Sequence, residues 1–111
     1  MRIIAGEMKG RLLHVPRNAS FRPTTDRVKE ALFNILAGML QWKRCLVCDL
    51  FAGSGGLGLE ALSRGAHSAV FIESDVASRR VLERNIGVLR MEDRTRVLPI
   101  PVETYCRGAE E

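Results

Sequence analysis

The residues with the clearest potential for chemistry form a glycine-rich loop that follows an apolar run. Gly53, Gly55 and Gly58 satisfy the spacing G-x-G-x-x-G. Glycines at these places permit a tight turn and let a ligand approach the backbone amides closely. A helix that begins behind them would present unpaired N–H groups and a partial positive charge, and so would bind an anionic group. The loop therefore predicts a nucleotide-like cofactor, although the spacing alone does not specify which one.

Two carboxylates narrow the choice of cofactor. Glu73 lies 20 residues after Gly53, at the expected end of the next strand, where an acid can accept hydrogen bonds from both hydroxyls of a ribose. Asp49 lies four residues before Gly53, where it would repel the pyrophosphate of a dinucleotide by about 1–4 kcal/mol per close charge pair. The same carboxylate would attract the cationic part of S-adenosylmethionine, so the pair favours that cofactor over a nicotinamide cofactor. The plainer alternatives are a solvated strand end for Glu73 and a turn residue bonded to its own loop for Asp49.

A parallel sheet is needed to bring the loop and Glu73 together. Apolar runs predict buried strands at 45–51 and 68–73, and a short edge piece at 96–100 where prolines interrupt pairing. Helical patterns separate these runs. The order α-β-α-β-α-β is typical of an α/β protein with a parallel sheet and right-handed crossovers.

Three helices are predicted from the spacing of apolar residues and from their caps. The first begins at Thr25 or Asp26, the second covers 57–64, and the third begins at Asp75. The first helix carries an apolar stripe that we expect to face the core. Its members are Val28, Ala31, Leu32, Ile35, Leu36 and Met39.

The first quarter of the chain carries the excess of positive charge. Residues 1–29 contain seven Lys and Arg residues against two acidic residues, a net charge of +5, whereas the rest of the chain sums to −1. Two short runs flank a segment with glycine at each end, which predicts a β-hairpin within residues 2–15, followed by a loop. The charge asymmetry fits a polyanionic partner such as nucleic acid and a solvated basic face equally well.

Composition excludes several classes of protein. Hydrophobic residues at 46% and charged residues at 27% are ordinary globular values, and no apolar run approaches the roughly 18 residues of a membrane helix. Three irregularly spaced cysteines form no disulfide framework, which favours a reducing cytoplasm. Cys45 and Cys48 would point to opposite faces of their strand, so we expect buried packing rather than a metal site.

Several separated signatures, in the same order, resemble a known protein family. Residues 49–66 resemble the first cofactor motif and following helix of the bacterial 16S ribosomal RNA guanine-N2 methyltransferases, the RsmD family. Residues 22–36 resemble the N-terminal signature of that family, and residues 4–11 resemble its opening hairpin. Phe71-Ile-Glu73 is similar to its acidic strand end, and Asn85 is similar to an asparagine of its third helix. The resemblance covers nearly the whole chain.

The resemblance implies a Rossmann-like class I methyltransferase fold whose sheet stops after about the third strand. It divides the chain into a basic hairpin and loop, residues 1–24, and the N-terminal half of a methyltransferase domain, residues 25–111. It implies methyl transfer from S-adenosylmethionine to the exocyclic N2 of a guanine in 16S ribosomal RNA by direct displacement. The implied partner is 16S ribosomal RNA or the assembling small ribosomal subunit. The full-length enzyme is expected to be a cytoplasmic monomer.

The resemblance and the charges also assign residues to each partner. Cofactor contacts are expected from the glycine loop and the end of the next strand: Asp49, Phe51, Ala52, Gly53, Ser54, Gly55, Gly58, Glu73 and Ser74. RNA contacts are expected from four basic residues, because their cationic groups suit phosphate: Lys9, Arg11, Arg17 and Arg22.

Two departures from the family pattern limit what is expected of the chain alone. Pro101 stands where an acidic residue commonly meets the adenine amine, with Glu103 as a weak substitute. The Asp/Asn-Pro-Pro-Tyr motif, which in the family follows the fourth strand and holds the target amine, does not occur in these 111 residues. No catalytic residue is therefore assigned, and we expect the chain by itself to be inactive in methyl transfer.

Three other functions remain open at the level of sequence. A DNA amino-methyltransferase can share similar motifs, although the Arg22-Pro-Thr signature and the basic hairpin favour RNA. A non-catalytic nucleotide- or RNA-binding module would need no acceptor motif. A dinucleotide-dependent oxidoreductase is disfavoured by Asp49.

Overall fold

The chain forms a three-stranded parallel sheet with helices between its strands. The computed structural model describes residues 1–16 and 25–110. The elements are α1 (Asp26–Ala37), β1 (Leu46–Asp49), α2 (Gly56–Ser63), β2 (Ser68–Ile72), α3 (Val76–Val88), β3 (Thr95–Leu98) and α4 (Val102–Glu110). Single 3-10 turns precede β1 and β3. The strand order is β1-β2-β3, and the register places Phe71 of the central strand between Asp49 and Val97.

Local signals set most element boundaries. The Thr25 hydroxyl accepts a hydrogen bond from the amide of Val28, and the Asp75 carboxylate accepts one from the amide of Ser78, so both predicted caps are confirmed. Gly65 follows α2 with a φ of 116°, which residues with a side chain rarely adopt. The third strand is short and lies at an edge, as its prolines predict.

The core lies around the central strand. Phe71 and Ile72 of β2 are fully buried, and α2 and α3 cover the sheet with buried leucines. The main members of this cluster beyond the sheet are Leu59, Leu62, Leu82, Leu89 and Met91. Burial of apolar surface at this scale is the main favourable term in folding.

The prediction that the apolar stripe of α1 faces the core is wrong. Val28, Ile35 and Met39 are 58%, 65% and 73% exposed. The helix instead turns Lys29 and Phe33 inward, because Lys29 pairs with Glu60 of α2 and Phe33 stacks on Trp42. Most of the stripe is consequently exposed, while Leu36 is half-buried against the core.

The first strand is also more exposed than predicted. β1 is an edge of the sheet formed by the described residues, and Leu46 is 74% exposed. Cys48 is exposed as well, rather than buried by packing, while Cys45 is half-buried. Among the described residues β1 pairs with β2, so the strand that was predicted to be buried is exposed along its other edge.

The predicted N-terminal β-hairpin is not formed as two strands. Residues 1–14, hereafter the N-terminal segment, contain a single antiparallel bridge between Arg2 and Leu12. The amides of Ile4 and Ala5 donate to the carboxylate of Glu60 at 2.8 and 3.1 Å, so a side chain of α2 takes the place of a partner strand. The loop that was predicted to follow lies mostly outside the described residues, and the division of the chain at residue 24 stays a prediction.

No helix among the described residues combines the length and the apolar character that crossing a membrane requires.

Candidate functional site

The glycine loop joins β1 to α2, and two of its glycines adopt backbone conformations that side chains disfavour. Gly53 has a φ of 54° and Gly55 has a φ of 88°. A Cβ atom on Gly55 would lie 2.4 Å from Cδ1 of Leu82 in α3. A Cβ atom on Gly58 would lie 2.3 Å from Cε1 of Phe71 in β2. The glycines thus provide the tight turn and the close helix packing that their spacing predicts.

Glu73 lies directly against this loop. Its Oε1 accepts a hydrogen bond from the amide of Gly53 at 2.8 Å, and its Oε2 accepts one from the amide of Asp75 at 3.0 Å. The side chain is half-buried. A carboxylate has about four acceptor positions, so two protein bonds leave capacity for further donors such as hydroxyls. The sheet therefore brings the candidate ribose acceptor and the candidate phosphate- or carboxylate-binding loop together.

Asp49 ends β1 on the other side of the loop. Its Oδ2 accepts from the amide of Gly58 at 3.3 Å, in the first turn of α2. Burial raises the pKa of this carboxyl above its usual value, and the negative charge of Glu73 adds to the rise. Hydrogen bonds from the amides of Gly58 and Phe51 act in the opposite direction and lower the pKa. The hydrogen bond with Gly58 is also what is expected if Asp49 is a turn residue bonded to its own loop.

The two carboxylates make this end of the sheet negative. Asp49 and Glu73 lie close enough to raise the pKa of Asp49 by charge repulsion, while the start of α2 presents backbone N–H groups. A ligand with separate positive and negative groups can satisfy both features. A ligand that carries only negative charge would meet repulsion from the carboxylates.

The remaining predicted cofactor residues differ in exposure. Phe51 is 79% exposed, and Ser74 is exposed beside Glu73. Ala52 and Ser54 are buried within the loop. Their assignment as cofactor contacts stays a prediction.

A largely apolar cavity of ≈ 480 Å³ opens beside the loop. Its lining comes from α1, β1, the loop and α2, and includes Leu32, Phe33, Val47, Phe51 and Leu57. Asp49 and Gly58 lie on its wall, but Glu73 does not. The cavity is therefore adjacent to the cofactor candidate rather than coincident with it.

The predicted RNA-contacting residues divide into two pairs. Lys9 and Arg11 are exposed on the N-terminal segment, and Nη2 of Arg11 donates to the carbonyl of Val88 at the end of α3 at 3.1 Å. Arg17 and Arg22 lie outside the described residues. The assignment of all four to RNA stays a prediction.

Sequence reasoning missed a buried ionic cluster that holds the N-terminal segment on α2. Glu60 is fully buried and lies 3.4 Å from Nζ of Lys29 and 2.9 Å from Nε of Arg64. Lys29 is also fully buried, and its Nζ donates to the carbonyl of Arg2. The i,i+4 spacing of Glu60 and Arg64 is a local pattern that favours a pair on α2. The burial of Glu60 and its pairing with Lys29 could not be predicted, because Lys29 lies 31 residues away in the sequence and both types are normally exposed.

A second missed contact involves Asn85, whose role the sequence did not indicate. The side chain is fully buried in α3 and bonds both to His14 of the N-terminal segment and to Ser54 of the loop. The one indication in the sequence was that Asn85 is similar to an asparagine in the third helix of the RsmD family.

Comparison with known proteins identifies the relatives of this chain. A model of the family described as conserved hypothetical protein 95 matches residues 1–109. The ribosomal RNA small subunit methyltransferase D of Escherichia coli K12 is 52% identical over 90 residues, which cover 81% of this chain and 44% of that protein. The chain therefore spans about half the length of the curated relatives it matches.

Solved structures agree in fold. A hypothetical protein of Thermus thermophilus is 35% identical, with a TM-score of 0.84 over 99% of this chain and 61% of that chain. TYW2 of Pyrococcus horikoshii, solved in complex with MeSAdo, is 28% identical, with a TM-score of 0.60 over 75% of this chain and 30% of that chain. Together with the family match, these relatives confirm the resemblance read from the sequence: the chain belongs to the conserved hypothetical protein 95 family, which includes ribosomal RNA small subunit methyltransferase D, and it spans roughly the N-terminal half of its homologues.

Proposed function

We propose that this chain is the cofactor-binding part of a methyltransferase that uses S-adenosylmethionine to methylate the exocyclic N2 of a guanine in 16S ribosomal RNA. One observation carries the proposal. Glu73 accepts a hydrogen bond from the amide of Gly53 at 2.8 Å, which joins the candidate ribose acceptor to the glycine loop. The E. coli relative, named as a small-subunit ribosomal RNA methyltransferase, supports the reaction class.

The charges at the loop suit S-adenosylmethionine. Glu73 would accept hydrogen bonds from the ribose hydroxyls with the acceptor positions that Gly53 and Asp75 leave free. Asp49 would attract the ammonium and sulfonium groups of the cofactor. The amides at the start of α2 would bind its carboxylate. A dinucleotide would bring two phosphate charges toward the same two carboxylates.

The proposed methyl transfer requires mainly that the cofactor and the guanine amine are positioned correctly. When bound, S-adenosylmethionine would supply a methyl group on a positively charged sulfur, and the exocyclic amine of the guanine would displace that sulfur. The electron pair of the carbon–sulfur bond would remain on sulfur, and the amine would give up its extra proton to solvent. In this scheme the loop and Glu73 fix the cofactor, and the rate gain comes from alignment of the reacting atoms.

Ribosomal RNA would contact the basic N-terminal region. Lys9 is exposed there, and Arg11, Arg17 and Arg22 complete the set that we assign to phosphate contacts. The proposed partner is 16S ribosomal RNA or the assembling small subunit, which places the protein in the cytoplasm. The full-length enzyme is proposed to act as a monomer.

A non-catalytic binding module is the second candidate function. Such a module would bind a nucleotide or RNA through the glycine loop and the basic N-terminal residues without transferring a methyl group. A DNA amino-methyltransferase has less support, because that relative is named for ribosomal RNA. Methyl transfer to small subunits that lack the modification separates an enzyme from a binding module.

Cofactor choice is tested by calorimetry with three ligands. S-adenosylmethionine and S-adenosylhomocysteine are expected to bind more tightly than NAD, because only NAD brings a pyrophosphate to Asp49 and Glu73. Tighter binding of NAD would replace the proposal with a dinucleotide-binding function.

The RNA surface is tested by the salt dependence of binding. Replacing Lys9, Arg17 and Arg22 with Gln is expected to lower the slope of log affinity against log salt by about 0.7–0.9 for each phosphate that the variant no longer neutralises. The matched control replaces three basic residues that we do not assign to RNA, Arg44, Arg80 and Arg84, with Gln. An equal decrease of slope in both triple variants would show general charge attraction, and binding that prefers duplex DNA over 16S ribosomal RNA would contradict the substrate.

A further inference from the structure

One side chain connects the glycine loop to the N-terminal segment. Asn85 donates from Nδ2 to the carbonyl of Ser54 at 2.9 Å and to the carbonyl of His14 at 3.0 Å. Its Oδ1 accepts from the amide of His14 at 2.8 Å. Three of the four hydrogen-bonding positions of the amide are therefore occupied by two distant parts of the chain.

Burial makes this connection unfavourable to break. The side chain of Asn85 has no exposed surface, and Ser54 is 2% exposed. A buried amide without these partners would leave polar groups unpaired, so its orientation is strongly favoured. Any shift of the Ser54 carbonyl must consequently be accommodated by the same side chain that holds His14.

The two ends of the connection lie next to the two candidate ligand sites. Ser54 follows Gly53, whose amide is bonded to the candidate ribose acceptor Glu73. His14 follows Arg11 by three residues and precedes Arg17 by three residues. The N-terminal segment also forms hydrogen bonds with Glu60 and Ser63 of α2, and the side chain of Met1 packs against Gly56 at the start of that helix.

We propose that Asn85 is a positioning residue that couples cofactor binding to RNA binding, a role that rests on the function proposed above. Cofactor contacts on the loop and on Glu73 fix the Ser54 carbonyl. The Asn85 amide is then held in the orientation that docks His14, and Arg11, three residues before His14, is thereby positioned for phosphate. The first ligand to bind pays the entropy cost of ordering the connection, so the second ligand binds without that cost. Because coupling between two sites is reciprocal, each ligand strengthens the binding of the other by the same factor.

The first test measures this factor directly. The affinity of the 111-residue chain for 16S ribosomal RNA is determined with and without saturating S-adenosylhomocysteine. We expect the cofactor product to tighten RNA binding at least about 5-fold in the unmodified chain, within the usual range of coupling between sites. In Asn85→Ala the factor is expected to fall to about 1, because the connection is cut while Glu73 and the basic residues remain.

A control variant separates coupling from decreased stability. Ile86→Ala removes a buried side chain next to Asn85 in α3, but Ile86 makes no side-chain hydrogen bond to the loop or to the N-terminal segment. It is expected to be destabilised and to keep the coupling factor. Equal loss of coupling in Ile86→Ala and Asn85→Ala would overturn the proposal, since stability alone would then account for it.

The second test needs no RNA and can be done on the unmodified chain if Asn85→Ala fails to fold. Hydrogen exchange of the His14 amide, measured by NMR, is expected to slow when S-adenosylhomocysteine binds, because that amide donates to Asn85. Unchanged exchange at His14 in the presence of bound ligand would overturn the coupling while leaving the proposed function intact. Failure of the ligand to bind at all would overturn both.

Discussion

Asp49 lies where its charge lowers the stability of the fold and where we propose that it attracts the cofactor. Burial raises the pKa of its carboxyl above the usual 3.8, so the folded protein holds the ionised form less well than the unfolded chain does. The stability of the fold therefore decreases as the pH rises from 3.8 to the raised pKa, and it stays at the lower level at neutral pH. Such a cost is common at sites that bind charged ligands.

Asp49→Asn is expected to have opposite effects on the two properties. At pH 7 the free energy of unfolding should increase, because a partly buried charge is removed while an oxygen remains to accept from Gly58. Affinity for S-adenosylmethionine should fall by about 1.5–3 kcal/mol, the usual value of a hydrogen bond to a charged group. Urea unfolding and calorimetry measure the two effects, with Asp93→Asn at an exposed position as control. A loss of stability with unchanged affinity would make Asp49 a turn residue.

At this scale the sequence predicted what depends on neighbours along the chain. The glycine spacing, the acid at residue 73 and the caps at Thr25 and Asp75 are local patterns, and the structure has each of them in place. The roles of Asn85 and Glu60 could not be assigned, because their hydrogen-bond partners lie far away in the sequence. Asn85 bonds to Ser54 and His14, which are 31 and 71 residues away. Glu60 accepts from Ile4 and Ala5, which are 56 and 55 residues away.

At the scale of elements, the cofactor loop depends on how closely α2 approaches the sheet. Gly58 allows this approach, since a Cβ atom there would lie 2.3 Å from the ring of Phe71, which is fully buried. The ring cannot move away without disturbing the core around it. The packing of α2 therefore positions both the loop and the amides at its N-terminus.

Gly58→Ala is expected to lower the free energy of unfolding by about 1–3 kcal/mol, the usual cost of overpacking. Gly87→Ala in α3 is the matched control, because a Cβ atom there meets nothing within 4 Å and alanine favours the helix by up to about 1 kcal/mol. Thermal unfolding should move in opposite directions in the two variants. Equal shifts would mean that Phe71 yields to the added methyl and that close packing is not required.

The orientation of α1 could not be predicted from the periodicity of its apolar residues. The spacing correctly puts Val28 and Ile35 on one face of α1, whereas Met39 lies beyond the end of that helix. The spacing does not indicate whether another part of the protein covers that face. The face of α1 that is buried depends on Lys29, whose side chain is buried because it pairs with Glu60. An ion pair between distant elements therefore decides how the helix is rotated.

The described part of the chain exposes an apolar surface on one side of the molecule. This surface combines the stripe of α1, the edge of β1 that pairs with no described strand, and the cavity lined by both elements, with Phe51 79% exposed nearby. Contiguous apolar surface and an unpaired strand edge both favour association with another chain.

We therefore expect the 111-residue chain to self-associate as its concentration rises, as measured by sedimentation velocity. Replacing Ile35 and Met39 with Lys should shift the chain toward monomer, because two charges would enter the exposed stripe. The control Val88→Lys places a charge on an exposed apolar residue of α3 and should sediment like the unmodified chain. A chain that remains monomeric at high concentration would contradict the expectation.

Binding of S-adenosylmethionine by Glu73 and the glycine loop can be measured in one calorimetric titration. Glu73→Ala is compared with Glu83→Ala, which removes an exposed carboxylate from α3. Glu73→Ala is expected to weaken the binding of S-adenosylmethionine by about 1–3 kcal/mol, because ribose hydroxyls and the amide of Gly53 lose their acceptor. Glu83→Ala is expected to leave the affinity unchanged. Equal affinity for S-adenosylmethionine in Glu73→Ala and in the unmodified chain would remove Glu73 from the site and show that the proposed cofactor site is wrong.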